Sequence, residues 1–139
     1  MATTTQMIEA TGVDVVTATD IADIEIPVLA GMQRQGDVLI VPHIEGDLAK
    51  TVVPASGTPV VKGESGGGNT HAIYPADGPV YCDVLPGSAR DLRVALLSVP
   101  EGSTAYLAHP EHGYQGIAPG SYEIRRQREM AEEMRMVAD

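Results

Sequence analysis

The chain has 139 residues, a formal net charge of −10, and neither Phe nor Trp. This length fits a single domain with a proper core, and the acidic charge argues against nucleic acid as a partner because phosphate binding needs a basic surface. No stretch reaches the ~20 apolar residues that span a bilayer, and the N-terminus lacks the pattern of a signal peptide, so we expect no membrane partner and a virion or cytoplasmic location.

The first thirty residues differ in composition from the rest of the chain. They open with a polar run and continue with acidic residues between β-branched ones, and no basic residue precedes Arg34. We interpret residues 1–30 as an extended N-terminal arm that adds a strand to the sheet edge of a neighbouring subunit in a homo-oligomer. The alternative is a frayed terminus that leads into a first strand at residues 24–29.

From Gln35 onward, short apolar or alternating runs are separated by Gly and Pro turn signals. In the last run, alternation predicts that Tyr122 and Ile124 face inward. The single cysteine, Cys82, lies in an apolar run and is expected to be a packed core thiol. The runs predict strands at residues 38–41, 58–64, 70–74, 79–84, 91–99, 104–109 and 121–128, with 91–99 in a central position.

This pattern predicts an all-β fold, a small β-sandwich or barrel, over residues 31–139. From Glu129 the spacing changes, because Met130, Met134 and Val137 recur at helical intervals. We therefore expect the domain to end in a short C-terminal helix.

One segment combines the residue types that bind metals. His109 and His112 are three residues apart around Pro110, just after a predicted strand, and imidazole suits zinc and similar metals. Glu111 would be a third ligand or a general base, and His71 would come from a neighbouring strand. The alternative is that these are surface polar residues hydrogen-bonded to the backbone.

A series of short motifs resembles a family of small uncharacterised proteins of bacteriophages and bacteria. The resemblance covers about Gln35 to the end, but two positions differ: Asn69 replaces the first histidine of a His-x-His pair that ends at His71, and Met130 replaces a common aromatic residue. If the family's histidines form a site, these differences imply a weakened one here. The motifs are Gln35-Gly-Asp-Val-Leu39, Gly63-Glu64 before a histidine-bearing strand, His109-x-Glu-His112, Pro119-Gly-x-Tyr122, Arg128-Glu129 and Arg135-x-Val-x-Asp139.

Two functions follow as expectations. The acidity, the arm, the phage-like resemblance and the lack of a complete catalytic set favour a non-enzymatic virion structural protein. This would be a capsid decoration or cement protein that binds the major capsid protein, or another virion protein, through its arm and sheet edges. The alternative is a metal-binding β-barrel, a small hydrolase that uses zinc at His71, His109, Glu111 and His112. A non-catalytic adaptor also fits the sequence.

Overall fold

The computed structural model describes residues 2–15, 24–43, 48–62, 70–85 and 93–126. Their strands form two five-stranded sheets, in the orders β1-β9-β8-β5-β4 and β2-β3-β10-β7-β6. The predicted C-terminal helix lies outside the described residues. The elements are α1 (Thr4–Thr11), β1 (Val28–Leu29), β2 (Gln33–Gln35), β3 (Val38–Pro42), β4 (Thr58–Val61), β5 (His71–Ala76), β6 (Tyr81–Val84), β7 (Arg93–Val99), β8 (Thr104–His109), β9 (Gly113–Ile117) and β10 (Gly120–Arg126).

The two sheets pack face to face around one apolar core. Tyr122 and Ile124 of β10 point into it, as alternation predicts, and Cys82 is buried in it as a free thiol. Within the described residues the fold is therefore a sandwich and not the closed barrel that the sequence left open. Both sheets contribute side chains to this core, among them Val60, Ile73, Leu107 and Ile117 from the first and Val38, Ile40, Leu97 and Ile124 from the second.

The one helix among the described residues, α1, has a complete set of local stop and start signals. The Thr3 hydroxyl accepts a hydrogen bond from the Gln6 backbone N–H, and the Gln6 side chain accepts one from the Thr3 N–H. This capping box fixes the first turn. Gly12 ends the helix in the left-handed conformation, with φ +78°. Among the described residues, no helix is long and apolar enough to cross a bilayer.

The N-terminal segment covers the outer face of the first sheet. Met7 of α1 is 4% exposed and belongs, with Val15 and Ile26, to a second apolar cluster. On the sheet side this cluster contains alternate residues of β5, β8 and β9, which point away from the core: Ala72, Tyr74, Tyr106, Ala108 and Tyr114. In the described residues the segment thus differs from the predicted extended arm, because its apolar side chains are buried on the chain's own sheet.

Strand β1 completes the edge of the same sheet. It pairs in parallel with β9, with Val28 opposite Gly116. The Gly116 N–H donates to the Pro27 carbonyl at 3.1 Å. A Cβ at Gly116 would lie 2.7 Å from that oxygen, so only glycine allows this approach. Of the strand predicted at residues 24–29, Val28 and Leu29 therefore extend the chain's own sheet.

Candidate functional site

Two buried histidines lie at one end of the space between the sheets. His71 begins β5 and His109 ends β8, each one residue beyond the Ala72–Ala108 pair. Their side chains are on the same face as Ile73 and Leu107, two residues along each strand, which belong to the core. His71 is 4% exposed and His109 3%. Alternation along two paired strands therefore brings both rings to the inner face.

The turn between β8 and β9 brings a third histidine to them. His109 Nδ1 accepts hydrogen bonds from the backbone N–H groups of Glu111, at 3.0 Å, and His112, at 3.3 Å. Because Nδ1 accepts, the proton of this neutral ring is on Nε2. The ring of the exposed His112 lies 4.6 Å from that of His109 and 6.1 Å from that of His71, measured between centroids, and the rings of His71 and His109 are 4.2 Å apart.

A buried glutamine sets the orientation of His71. Gln35, at the end of β2, is 2% exposed. Its amide Nε2 donates to the carbonyls of Leu107, at 3.0 Å, and Gly113, at 3.1 Å. Its Oε1 therefore faces His71 Nδ1, at 2.9 Å. An amide oxygen only accepts, so Nδ1 carries the proton of His71 and the lone pair of the neutral ring is on Nε2.

A carboxylate faces that lone pair. Asp37, in the turn between β2 and β3, places Oδ1 3.7 Å from His71 Nε2, and its side chain is 40% exposed. Burial lowers the pKa of His71 from 6.5 to about 4, and the nearby His109 contributes to the same shift. Asp37 opposes this shift, whereas His112 and Arg126 add to it. His71 is thus neutral at neutral pH. The contact with Asp37 is then not an ion pair, because a lone pair lies opposite a carboxylate oxygen.

Three of the four residues predicted as metal ligands come together: His71, His109 and His112. Glu111 is exposed in the turn and contributes its backbone N–H to His109. In their present conformations, no three or more His, Cys, Asp or Glu side chains of the described residues are arranged to hold a metal ion. His43 lies elsewhere, with Nδ1 3.0 Å from Oε1 of Glu123.

Sequence reasoning missed two members of this cluster, Gln35 and Asp37. Both lie in the Gln35-Gly-Asp-Val-Leu39 motif, which was interpreted as a mark of the family resemblance and not as part of a site. Gly36, between them, has φ +60°, and a Cβ there would lie 2.8 Å from His112 Nε2. The glycine thus allows His112 to lie against the turn. A glutamine and an aspartate on either side of a glycine in a turn were the available signal.

Most of the chain, including the part that carries this cluster, matches a known family of domains. A family model described as a domain of unknown function, DUF8820, matches residues 34–127. The chain therefore belongs to the DUF8820 family, and all the residues of the cluster lie within the matched range. The chain matches no curated protein and no solved structure.

Proposed function

We propose that the protein binds a divalent transition metal, of which zinc is the best representative, through His71, His112 and Asp37. The observation that carries the proposal is the 3.7 Å approach of Asp37 Oδ1 to the unprotonated Nε2 of a buried, neutral His71. Two electron-rich atoms face each other there. A bound cation would turn this repulsion into attraction to both atoms.

The spacing supports a metal of this class. Zinc bonds to imidazole nitrogen and carboxylate oxygen are both near 2.1 Å, so two ligands of a tetrahedral ion lie about 3.4 Å apart. The 3.7 Å between His71 Nε2 and Asp37 Oδ1 differs from this by a few tenths of an ångström. Magnesium and calcium favour all-oxygen sites, whereas imidazole suits zinc, iron and nickel.

The remaining ligand would be His112. The parallel rings of His71 and His112 are 6.1 Å apart, whereas two imidazoles on one tetrahedral zinc have centroids roughly 5 Å apart. His112 is exposed and Asp37 is partly exposed, so both can change conformation at little cost, while His71 is held in place. His109 is a positioning residue in this proposal, because its Nδ1 is engaged by the turn that carries His112.

A set of two histidines and one carboxylate leaves a coordination position for water. This is the arrangement of catalytic zinc sites, where the metal lowers the pKa of the bound water and produces a nucleophile. Metal-assisted hydrolysis is therefore the reaction class to screen first once metal binding is established.

The test is calorimetric titration of metal-free protein with zinc. We expect one zinc per chain. Asp37→Asn and His112→Ala should each weaken binding by more than the roughly 10- to 100-fold that outer-shell residues contribute. Glu111→Gln is the matched control, since Glu111 is an exposed acid next to His112, and it should bind zinc like the wild type. Wild-type protein that takes up no zinc, or equal losses in Asp37→Asn and Glu111→Gln, would contradict the proposal.

A second candidate, a capsid decoration protein, is supported by a different observation. Large apolar side chains that are at least half exposed lie on edge strands or next to them: Leu29 in β1, Met32 just before β2, Val84 in β6, and Val52, which is next to β6. Exposed apolar groups on a chain of net charge −10 suit docking onto a basic or neutral protein surface, such as a major capsid protein. Mass spectrometry of purified virus particles from the source tests this candidate, and particles that lack the chain would exclude it.

A further inference from the structure

Gln35 has an unusual position for a polar side chain. It is 2% exposed at the end of β2 in the second sheet, yet both of its amide hydrogen bonds go to carbonyls of the first sheet, those of Leu107 and Gly113. Its remaining polar atom, Oε1, contacts His71. A buried amide of this kind costs free energy unless all its groups are paired, and here the pairing links both sheets to one histidine.

The two carbonyls remove the ambiguity of the amide orientation. If the amide were flipped, Oε1 would face two carbonyl oxygens, and the NH₂ group would face His71 Nδ1. Both carbonyl contacts would then be repulsive, so the orientation with Oε1 toward His71 is strongly preferred. The neutral His71 ring consequently has its proton on Nδ1.

We infer that Gln35 is a positioning residue that selects the tautomer of His71 and thereby makes Nε2 the atom that binds metal. The statement that Nε2 binds metal rests on the proposed function, whereas the selection of the His71 tautomer by Gln35 does not. Metal-binding histidines commonly donate their other N–H to an outer-shell acceptor, which fixes the ring and raises its basicity. Gln35 and Asp37 flank Gly36, so a single hairpin turn supplies both the orienting group and the facing carboxylate.

The chain offers a matched control in Gln33. This residue lies on the same strand, is also buried, and donates through Nε2 to the Gly116 carbonyl at 2.9 Å and to that of Leu29 at 3.3 Å. No hydrogen bond is described between Gln33 and a histidine. Gln33→Leu and Gln35→Leu therefore remove comparable hydrogen bonds to the backbone, but only Gln35→Leu removes the contact with His71.

The experiment reads the histidine tautomer directly, from two-bond ¹H–¹⁵N correlations in metal-free protein near neutral pH. Wild type and Gln33→Leu should have the Nδ1–H form of His71. Gln35→Leu should shift the ring toward the Nε2–H form, in which Nε2–H can donate a hydrogen bond to Asp37. This variant should bind zinc about 10- to 100-fold more weakly.

The outcomes separate the tautomer assignment from metal binding. A wild-type protein with His71 in the Nε2–H form overturns the inference without any variant, so a failure of Gln35→Leu to fold does not protect it. An unchanged tautomer and unchanged zinc affinity in folded Gln35→Leu also overturn it. Wild-type protein that has the Nδ1–H form but binds no zinc refutes the proposed function and upholds the tautomer assignment.

Discussion

Replacing Met7 by alanine measures how strongly the N-terminal segment is held on its own sheet. Met7 is 4% exposed in α1 and lies in the apolar cluster with Tyr74, Tyr106 and Tyr114. The helix has only eight residues, so its stability depends on this packing more than on helix propensity. A helix this short would not persist on a detached arm.

The size of the effect follows from the burial of the side chain. Truncation of a buried methionine to alanine costs about 2–5 kcal/mol, depending on how far the site collapses. The cluster lies at the surface of the sheet beside a short helix that can readjust, so we expect the low end, about 2 kcal/mol. For a domain of this size that corresponds to a decrease in Tm of about 8 °C.

Urea and thermal unfolding, followed by circular dichroism, would measure the change. Glu9→Ala is the control, because Glu9 is exposed on the same helix, and its effect should stay within about 0.5 kcal/mol. If Met7→Ala unfolds with the same midpoint as wild type, the segment contributes nothing to the stability of the monomer. The extended-arm interpretation would then be the better one.

Three further predictions concern single residues. Burial raises the pKa of the Cys82 thiol to about 12, so thiol reagents should modify Cys82 near neutral pH only when the protein is unfolded by denaturant; rapid modification of folded protein would refute this. Gly36→Ala should cost about 1 kcal/mol of stability, because φ at this position is +60°. The added Cβ should also displace His112, and zinc titration of the folded variant would detect the weaker binding. In metal-free protein the pKa of His71 is lowered from 6.5 to about 4. As the pH falls, His71 is therefore protonated in the unfolded chain before it is protonated in the folded protein. The stability that His71 contributes should be complete above pH 6.5 and lost as the pH falls toward 4. Comparison with His71→Gln by urea unfolding across this range isolates the effect, and equal pH dependence in both proteins would contradict it.

Much of the sandwich was predictable because buried strands leave a local pattern in the sequence. Tyr122 and Ile124 alternate with charged residues, and both lie in the core. The run at residues 91–99 was predicted to be central, and β7 is paired on both sides, with β10 and β6. In these segments burial on one or both faces dictates the residue types, so periodicity is informative.

Strand β9 was not predicted, for an identifiable physical reason. Gly113 and Gly116 give the segment weak strand propensity, and its sequence resembles a loop. Gly113 is required by a left-handed turn and Gly116 by the close approach of β1. The constraint on Gly113 comes from turn geometry, and the constraint on Gly116 comes from a strand that is distant in the chain. Neither constraint leaves an alternating pattern in the sequence.

Strand alternation and turn residues are local properties, so the amino-acid sequence was enough to predict a β-rich domain with histidines beside a tight turn. Which groups meet in the site depends on tertiary contacts. The pairing of β5 with β8 brings His71 next to His109, and packing of β2 against the other sheet places Gln35 and Asp37 on opposite nitrogens of His71. Strand order and register depend on contacts between residues far apart in the chain, so short-range periodicity did not predict the cluster.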